Sequence, residues 1–223
     1  MVSTYRGKTS NGIIDNDVRD LTHLSQFWDS VVNVTDMAAS VIPDASGTGS
    51  WITDYGTAGP PLVSDLESVW SSLDDVLTAE LCGARAVLGC TAEDLLLAAL
   101  GRAVARTIGD GLLTVDLRQG RERKTCRRIE VPCVSQRGLS GAELLAVAYP
   151  GPGDADRTAD ITFSFGKEPE TDVCGPPLAV RISREGDSAL KLQWRFDTRV
   201  FDHCTVEELT EQFPLSLIEI TCG

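Results

Sequence analysis

The most continuous apolar stretch of the chain runs over residues 95–108, where nearly every position is Leu, Ala, Val or Ile. Thr91 and Asp94 stand before it with the spacing of a capping box, in which each side chain accepts a hydrogen bond from the other residue's backbone N–H at a helix start. A helix that is apolar on most of its faces is buried among other elements. The pattern therefore predicts a buried helix that ends at Gly109.

Short apolar runs after this helix predict β-strands. Residues 160–165 (DITFSF) alternate with a period of two, which is typical of a strand with one buried face. The last two runs are separated by the polar turn EGDSA and predict a β-hairpin. Pro132 indicates that its strand lies at an edge or carries a bulge. The predicted strands are residues 112–117, 128–134, 160–165, 178–184 and 190–196.

Two further helices are predicted among and after these strands. Residues 140–147 indicate a short helix, and a closing helix is expected near the end of the chain. We expect Thr205 to be its N-cap, Glu208 to be the capping-box partner and Pro214 to kink it. Strands and helices in this order predict an α/β fold in which flanking helices cover a mixed sheet.

The first sixty residues are weakly patterned and differ from the rest of the chain. Residues 24–32 have apolar positions at helical spacing, and residues 43–61 are rich in Gly, Ser, Thr, Asp and Pro, as expected of a long loop. Residues 64–81 indicate an extended stretch that leads into a helix. The predicted organisation is an N-terminal segment over 1–60 and one folded lobe over 61–223.

Composition and charge restrict the classes of function. The chain has 223 residues, of which 42% are hydrophobic and 24% charged, and this is ordinary for a globular protein. It has no apolar run long enough to span a membrane, and its first ten residues do not resemble a secretory signal, so we expect a cytoplasmic protein. A formal net charge of -13 argues against nucleic acid as a partner, because phosphate binding needs clustered cations.

One basic cluster interrupts this acidic background between two predicted strands. A solvated loop is the simplest interpretation of such a cluster. The alternative is a local binding site for an acidic partner or a phosphate. The candidate partner-binding residues are Arg118, Arg121, Arg123, Lys124, Arg127 and Arg128.

The cysteines and histidines do not have the spacing of a metal site. The chain has seven cysteines without a C-x-x-C pair, and its two histidines, His23 and His203, lie far apart. A zinc site needs closely spaced thiolates or a nearby histidine pair. We therefore expect no metal site and predict buried, reduced thiols.

Several motifs occur in an order that resembles one protein family. Residues 94–101 (DLLLAALG) match D-x-L-L-x-A-x-G, a signature of the epimerization domains of nonribosomal peptide synthetases, at every fixed position. Gly-Arg-Glu at 120–122 and Phe-Ser-Phe-Gly at 163–166 resemble two later motifs, and residues 192–213 resemble the family's closing strand and helix. The chain is therefore similar to the C-terminal lobe of the condensation/epimerization domain superfamily, which implies a single chloramphenicol-acetyltransferase-like lobe.

The resemblance has two departures that concern catalysis. The family's H-H-x-x-x-D-G motif belongs to the first lobe and does not occur in this sequence, which we expect to start after it; His23 stands alone in Thr-His-Leu. The family's strand after Gly-Arg carries a glycine and aromatic residues, whereas residues 129–135 here are IEVPCVS. The resemblance thus implies a lobe that lacks the family's catalytic histidine.

The weak catalytic candidates are Glu122 and His203. In epimerization domains the motif histidine and a glutamate of the second lobe are implicated in moving the α-proton, and Glu122 occupies a motif position in this lobe. His203 is a candidate because histidine is the residue type most often used for proton transfer, while Glu130 alternates with apolar residues in a predicted strand. The sequence contains no G-x-S-x-G nucleophile elbow and no glycine-rich phosphate loop.

The favoured functional hypothesis is a non-catalytic scaffold or partner-binding lobe. It predicts that an apolar face left by the missing first lobe is covered by another protein lobe or by a second copy of the chain. One alternative is a fragment of a condensation or epimerization enzyme, acting on carrier-bound thioesters once a first lobe is supplied. Another is a module that binds a carrier protein through the basic cluster. We expect no directly bound cofactor, and phosphopantetheine only as the arm of such a carrier.

Overall fold

The computed structural model describes residues 50–118, 126–154, 156–166, 175–185 and 189–222. Its strands are β1 (Leu66–Leu73), β2 (Gly111–Arg118), β3 (Cys126–Cys133), β4 (Gly151–Pro152), β5 (Ile161–Phe165), β6 (Leu178–Glu185) and β7 (Ala189–Asp197). Its helices are α1 (Asp75–Leu88), α2 (Ala92–Thr107), α3 (Gly141–Val147) and α4 (His203–Thr221), and a 3-10 turn covers Val63–Asp65. The five strands predicted from the sequence are confirmed.

All seven strands belong to one mixed sheet with the order β1-β7-β6-β5-β2-β3-β4. The central strands β2, β5 and β6 run parallel to one another, and every other pairing is antiparallel. The predicted hairpin is the β6–β7 pair. The predicted α/β class with a mixed sheet is therefore confirmed.

Pro132 lies on a poorly paired side of β3. The neighbouring strand β4 pairs only with Ile129 and Glu130, so among the described residues Pro132 has a strand partner on one side alone, where it lies opposite Leu112 of β2. A proline cannot donate to a sheet ladder and is tolerated at such a position. β3 is thus the penultimate strand of the sheet and not its edge strand, but Pro132 itself lies where β3 extends beyond β4.

One face of the sheet is a continuous apolar layer. In register, Val115 of β2 lies opposite Ile161 of β5, which lies opposite Leu178 of β6, which lies opposite Phe196 of β7, and all four are at most 1% exposed. Successive side chains of a strand point to opposite faces, so the period-two pattern places every second residue in this layer. The four helices contact one another and cover the layer on this side.

Helix α2 occupies the centre of the helical layer. Its residues from Leu95 to Ala105 are all buried, and it packs against both α4 and β3. Arg102 is the charged exception and is only 3% exposed. The predicted capping box is present: Asp94 N–H donates to Thr91 Oγ1, and Thr91 N–H donates to the Asp94 carboxylate.

Replacing Thr91 by Ala is expected to lower the free energy of unfolding by about 1 kcal/mol, because one N-terminal N–H of α2 loses its acceptor. Thermal or urea denaturation measures the change. Thr91→Ser keeps the accepting oxygen and should stay close to the wild type. Equal losses in the two variants would contradict the capping role.

The closing helix α4 begins earlier than the sequence pattern predicts. Its N-cap is Asp202 and its first residue is His203, so the predicted cap at Thr205 with Glu208 is wrong. The Thr205 hydroxyl instead donates to Asp54 Oδ1 at 3.1 Å, and the Asp202 N–H donates to Asp54 Oδ2 at 2.8 Å. A carboxylate from a distant loop thus accepts at the helix start. The helix runs on continuously through Pro214 to Thr221.

Residues 50–62 contain no helix or strand, in agreement with the predicted loop, but this segment packs on the sheet. Ile52 is 1% exposed within the core, and Trp51 Nε1 donates to the Leu112 carbonyl at 3.1 Å. The short helix predicted over 24–32 lies outside the described residues. No helix in the described part of the chain is long and apolar enough to cross a membrane.

Candidate functional site

One motif of the sequence, residues 163–166, lies at an edge of the sheet where parallel strands end. Since β2, β5 and β6 are parallel, their C-terminal ends, Arg118, Phe165 and Glu185, lie at the same edge. Ligand sites of open α/β sheets are typically found outside the C-terminal ends of parallel strands. Residues 163–166 (FSFG) form the end of β5, and residues 120–122, which lie outside the described ranges, follow directly after β2. This edge is therefore the candidate site.

The Phe-Ser-Phe-Gly motif has a clear structural basis. Phe163 is fully buried in the apolar layer, whereas Ser164 points to the opposite face of the sheet. Gly166 has φ of 120°, a left-handed conformation that side chains disfavour, and its N–H donates to the Ile182 carbonyl at 2.9 Å. The motif thus provides a core contact, a polar group on the other face and a turn.

The sheet face away from the helices is polar. Arg118 of β2 lies opposite Ser164 of β5, which lies opposite Arg181 of β6, which lies opposite Gln193 of β7. We call this side the polar face. The side chains on it include those of Ser68, Trp70, Asp116, Arg118, Arg128, Glu130, Thr162, Ser164, Arg181, Lys191, Gln193 and Arg195.

The exposed apolar face expected from the sequence is not found on this sheet. Strand alternation sends the apolar residues of every central strand toward the four helices, which bury them. Mostly polar positions remain for the opposite side, with a few apolar ones such as Leu112 and Ala179 among them. Any partner of the polar face must therefore be bound by charge and hydrogen bonds, with Trp70, 52% exposed, as its large apolar contribution.

The carboxylates described on the polar face already have cationic partners. Asp116 accepts from Arg128 Nε at 2.9 Å, and the same guanidinium also donates to the Arg157 carbonyl. Glu130 lies 3.7 Å from Arg157 in an ion pair. Glu130 is therefore tied to a neighbouring arginine at the sheet and is not directed freely into solvent.

The basic cluster predicted from the sequence is divided between two faces. Arg118 and Arg128 lie on the polar face, whereas Arg127 pairs with Leu117 in the ladder and lies on the side of the helices. The cluster members Arg121, Arg123 and Lys124 lie outside the described residues. The described members therefore do not form one common surface, and Arg128 is occupied by Asp116.

His203 lies at the opposite edge of the sheet from the candidate site. Its ring packs 5.9 Å from Phe196, which pairs with Leu178 at the start of β6. Both ring nitrogens lie 3.3 Å from exposed carboxylates, those of Glu67 and Glu207. The ring lies on the helix side of the sheet at the start of β6, whereas Ser164 and Arg181 lie on the other face and three residues, about 10 Å at about 3.3 Å per residue, further along the strand. His203 therefore cannot reach a substrate there, and Glu122 lies outside the described residues.

The described cysteines form no disulfide with one another, and most of them are not buried, in contrast to the prediction of buried thiols. Cys133 is buried, and burial raises the pKa of its thiol far above the ordinary range. Four others are exposed, namely Cys82, Cys126, Cys204 and Cys222. Within the described ranges, no group of three or more His, Cys, Asp or Glu residues could hold a metal ion.

Asp160 is a buried carboxylate with a structural role. Its oxygens accept from Ser50 Oγ at 2.5 Å and from the Thr114 N–H at 2.8 Å. Burial raises the pKa of Asp160, although these hydrogen bonds act in the opposite direction. Because the carboxylate joins the 50–62 loop, β2 and the start of β5, it positions the strands of the site.

The polar side chains of the site were not singled out from the sequence. Ser164, Arg181 and Arg195 occupy the alternate positions of strands whose apolar residues had been recognised. The period-two pattern contains the signal for them, since it assigns them to one face. Their meeting across three strands depends on strand order, which the pattern does not give.

This architecture is the fold of condensation and epimerization domains, and the resemblance predicted from the sequence is confirmed. The epimerization domain from the third module of tyrocidine synthetase B superposes with a TM-score of 0.58 at 15% identity, over 92% of this chain and 59% of that chain. An X-domain from teicoplanin biosynthesis gives 0.59 at 14% identity, over 94% of this chain and 56% of that chain. The condensation domain of Monacolin K polyketide synthase gives 0.57 at 10% identity.

A curated relative in sequence is a phenolphthiocerol/phthiocerol polyketide synthase polypeptide of Mycobacterium tuberculosis. It is 29% identical in an alignment that covers 75% of this chain. The chain spans 15% of the length of that synthase polypeptide and less than two thirds of the length of the solved domains that it resembles. No protein-family model matches the chain.

Proposed function

We propose that this chain is the second lobe of a condensation/epimerization-like domain, and that it binds another protein lobe through its polar face without performing proton transfer. The domain class rests on the fold. The proposal of a non-catalytic role rests chiefly on one observation: no described side chain at the candidate edge is a histidine, and the described carboxylates of that face are paired with arginines.

General acid–base catalysis needs a group within hydrogen-bond reach whose pKa lies near the working pH. The described side chains in register at the edge are mainly guanidinium and hydroxyl groups, together with the thiol of Cys126 opposite Arg118, and none of them is an imidazole. Histidine is the residue type most often used for such proton transfer, but His203 lies at the other edge. These features support a role in binding.

The charge of the polar face supports an acidic partner surface. The chain has a net charge of -13, yet this face presents Arg118, Arg181, Lys191 and Arg195. Trp70 lies at the end of the row, with Lys191 Nζ 4.8 Å from its ring centroid. Exposed tryptophan and arginine are the residue types that dominate binding energy in protein interfaces.

Binding by a domain of this fold has a structural parallel. An X-domain from teicoplanin biosynthesis has been solved in complex with OxyB, and that chain superposes here with a TM-score of 0.55 at 16% identity. The parallel supports partner binding as a use of the fold. It does not identify the partner of this chain.

The polar face is tested by reversing a charge on it. We expect the chain to form a complex with a separately expressed first lobe of a condensation domain in sedimentation velocity, and Arg195→Glu to weaken it about tenfold or more. Arg85→Glu makes the same charge change on an exposed position of α1, on the other side of the sheet, and should leave the complex intact. The proposal would be overturned if the chain formed neither a complex with this first lobe nor a homodimer.

The absence of catalysis is tested separately with the same mixture. We expect no α-proton exchange on a carrier-bound aminoacyl thioester when the first lobe lacks its own histidine motif. Exchange that requires this chain, and that is lost in His203→Ala or Glu122→Gln, would show that the chain is a fragment of an enzyme.

A further inference from the structure

Three side chains in the middle of the polar face form a group of hydrogen-bond donors that no described carboxylate neutralises. Ser164 of β5 lies between Arg118 of β2 and Arg181 of β6, directly in register with both. Adjacent strands are about 4.8 Å apart, so the two arginine backbones are about 10 Å apart with the serine midway. Arginine side chains are long enough for both guanidinium groups to converge above the hydroxyl.

The two arginines have no carboxylate partner among the described residues. Asp116, which lies on the same face two positions before Arg118, accepts a bidentate contact from Arg128 at 2.9 and 3.3 Å. Glu130 is paired with Arg157. These two described acids of the face are thus used by other cations, and neither compensates the positive charge of Arg118 and Arg181.

Arg181 carries the more specific observation. Its Nε atom is buried and has no hydrogen-bond partner in the described part of the chain. A buried donor without an acceptor costs about 1–3 kcal/mol, and more when the group is charged. Buried polar groups nearly always have a partner, so an exception calls for an explanation such as an acceptor supplied from outside the chain.

Ser164 makes the site more than a pair of charges. It is only 8% exposed, and its hydroxyl makes no hydrogen bond to another described residue. A hydroxyl can donate to an oxyanion while two guanidinium groups each present a planar fork of N–H donors. Together the three groups match the several acceptor oxygens of a phosphate or carboxylate.

We propose that Arg118, Ser164 and Arg181 form an oxyanion-binding site on the polar face, with the Nε–H and a terminal N–H of Arg181 and the hydroxyl of Ser164 donating to the bound group. The ligand is a tetrahedral or planar oxyanion, that is, a phosphate or a carboxylate. Such a group is supplied either by a small molecule or by an acidic side chain on the docked lobe.

This inference deepens the proposed function. Binding of an acidic side chain from a docked lobe rests on that function, but binding of a free oxyanion does not require a partner. Binding of a free oxyanion depends only on the three side chains. Loss of the protein complex with retention of oxyanion binding would remove the proposed function and leave the site. Loss of oxyanion binding with retention of the protein complex would remove the proposed site and leave the docking face.

The test uses inorganic phosphate and, in a second arm, acetate as probes of the full chain. The nitrogen and proton chemical shifts of Arg181 Nε–H report the missing acceptor directly, and calorimetry gives the affinity. We expect the Arg181 signal to shift with phosphate in a saturable way. Arg181→Gln and Ser164→Ala should each weaken binding about tenfold or more, as the loss of a hydrogen bond to a charged group predicts.

A matched control lies on the same strand. Arg184→Gln removes the same charge three residues further along β6, at an exposed position on the opposite face, and should bind phosphate like the wild type. Far-ultraviolet circular dichroism confirms that each variant is folded, and Arg181→Lys retains the charge without the fork. An Arg181 Nε–H signal unmoved by phosphate and acetate, or equal weakening by Arg184→Gln, would overturn the proposal.

Discussion

Replacing Gly101 by Ala is expected to lower the free energy of unfolding by about 1–3 kcal/mol, the range for overpacking a filled core. A Cβ at this position would lie 2.7 Å from the Pro132 carbonyl oxygen and 2.8 Å from Val131 Cγ1. Helix α2 therefore approaches β3 so closely that only a residue without a side chain fits. Urea denaturation followed by circular dichroism measures the loss.

The same substitution in another helix provides the control. Gly83 is exposed on α1, and a Cβ there would meet nothing within 4 Å. Gly83→Ala should raise stability by about 0.5–1 kcal/mol, because alanine loses less conformational entropy than glycine in a helix. If Gly101→Ala were as stable as the wild type, the close helix–strand contact would be contradicted. The close approach also gives a physical reason for the final glycine of the D-x-L-L-x-A-x-G motif.

Replacing Glu219 by Gln is expected to lower the free energy of unfolding by about 3 kcal/mol. Glu219 accepts from Arg102 Nε at 2.6 Å and from Arg106, and Arg102 is 3% exposed. Removing one partner of a buried ion pair leaves the other charge uncompensated, at a cost of about 3–5 kcal/mol. The lower end applies because 39% of the Glu219 side chain remains in contact with solvent.

The pH dependence of this variant follows from the same contacts. Burial acts to raise the pKa of Glu219, but the hydrogen bonds from Arg102 and Arg106 outweigh it and hold the pKa below its ordinary value. A carboxyl with a lowered pKa stabilises the folded state fully above its unfolded pKa, about 4.3, and loses this contribution as the pH falls through the folded pKa. The difference between the wild type and Glu219→Gln should therefore shrink below about pH 4.

A control variant and a double variant distinguish the effect of the Arg102–Glu219 ion pair from a general effect of substitutions in α4. Glu211→Gln makes the same change at an exposed position of α4 and should alter stability little. Arg102→Met together with Glu219→Gln removes both charges from the interior. The double variant should then lose less than the sum of its single changes. Additive losses would show that the two charges do not act as a pair.

Arg102 also shows why this ion pair could not be predicted. Its Nη1 donates to the carbonyls of Val134 and Gln136 at 3.0 and 2.9 Å, and its partner Glu219 is 117 positions away along the chain. In the sequence Arg102 and Arg106 are the two basic residues of a mostly apolar helix, and no local feature identifies their partner. The pairing arises because α4 returns across α2 near the end of the fold.

The start of α4 illustrates a limit of local signals. Thr205 and Glu208 have capping-box spacing, yet the helix begins at His203 because Asp54 accepts hydrogen bonds from both Asp202 and Thr205. By contrast, the capping box at Thr91 and Asp94 was predicted correctly, since no distant group competes for it among the described residues. A local capping pattern predicts the first residue of a helix correctly only where tertiary contacts do not provide other acceptors near the helix start.

Periodicity and motif spacing were enough to predict the strands β2, β3, β5, β6 and β7, the buried helix α2 and the likeness to condensation and epimerization domains, because they are properties of neighbouring residues. The same patterns show that polar residues alternate with apolar ones in β5, β6 and β7. The meeting of Arg118, Ser164 and Arg181, the place of His203 at the other edge and the polar character of the open face emerged from the folded chain alone. These depend on strand order and register, which join residues distant in the sequence.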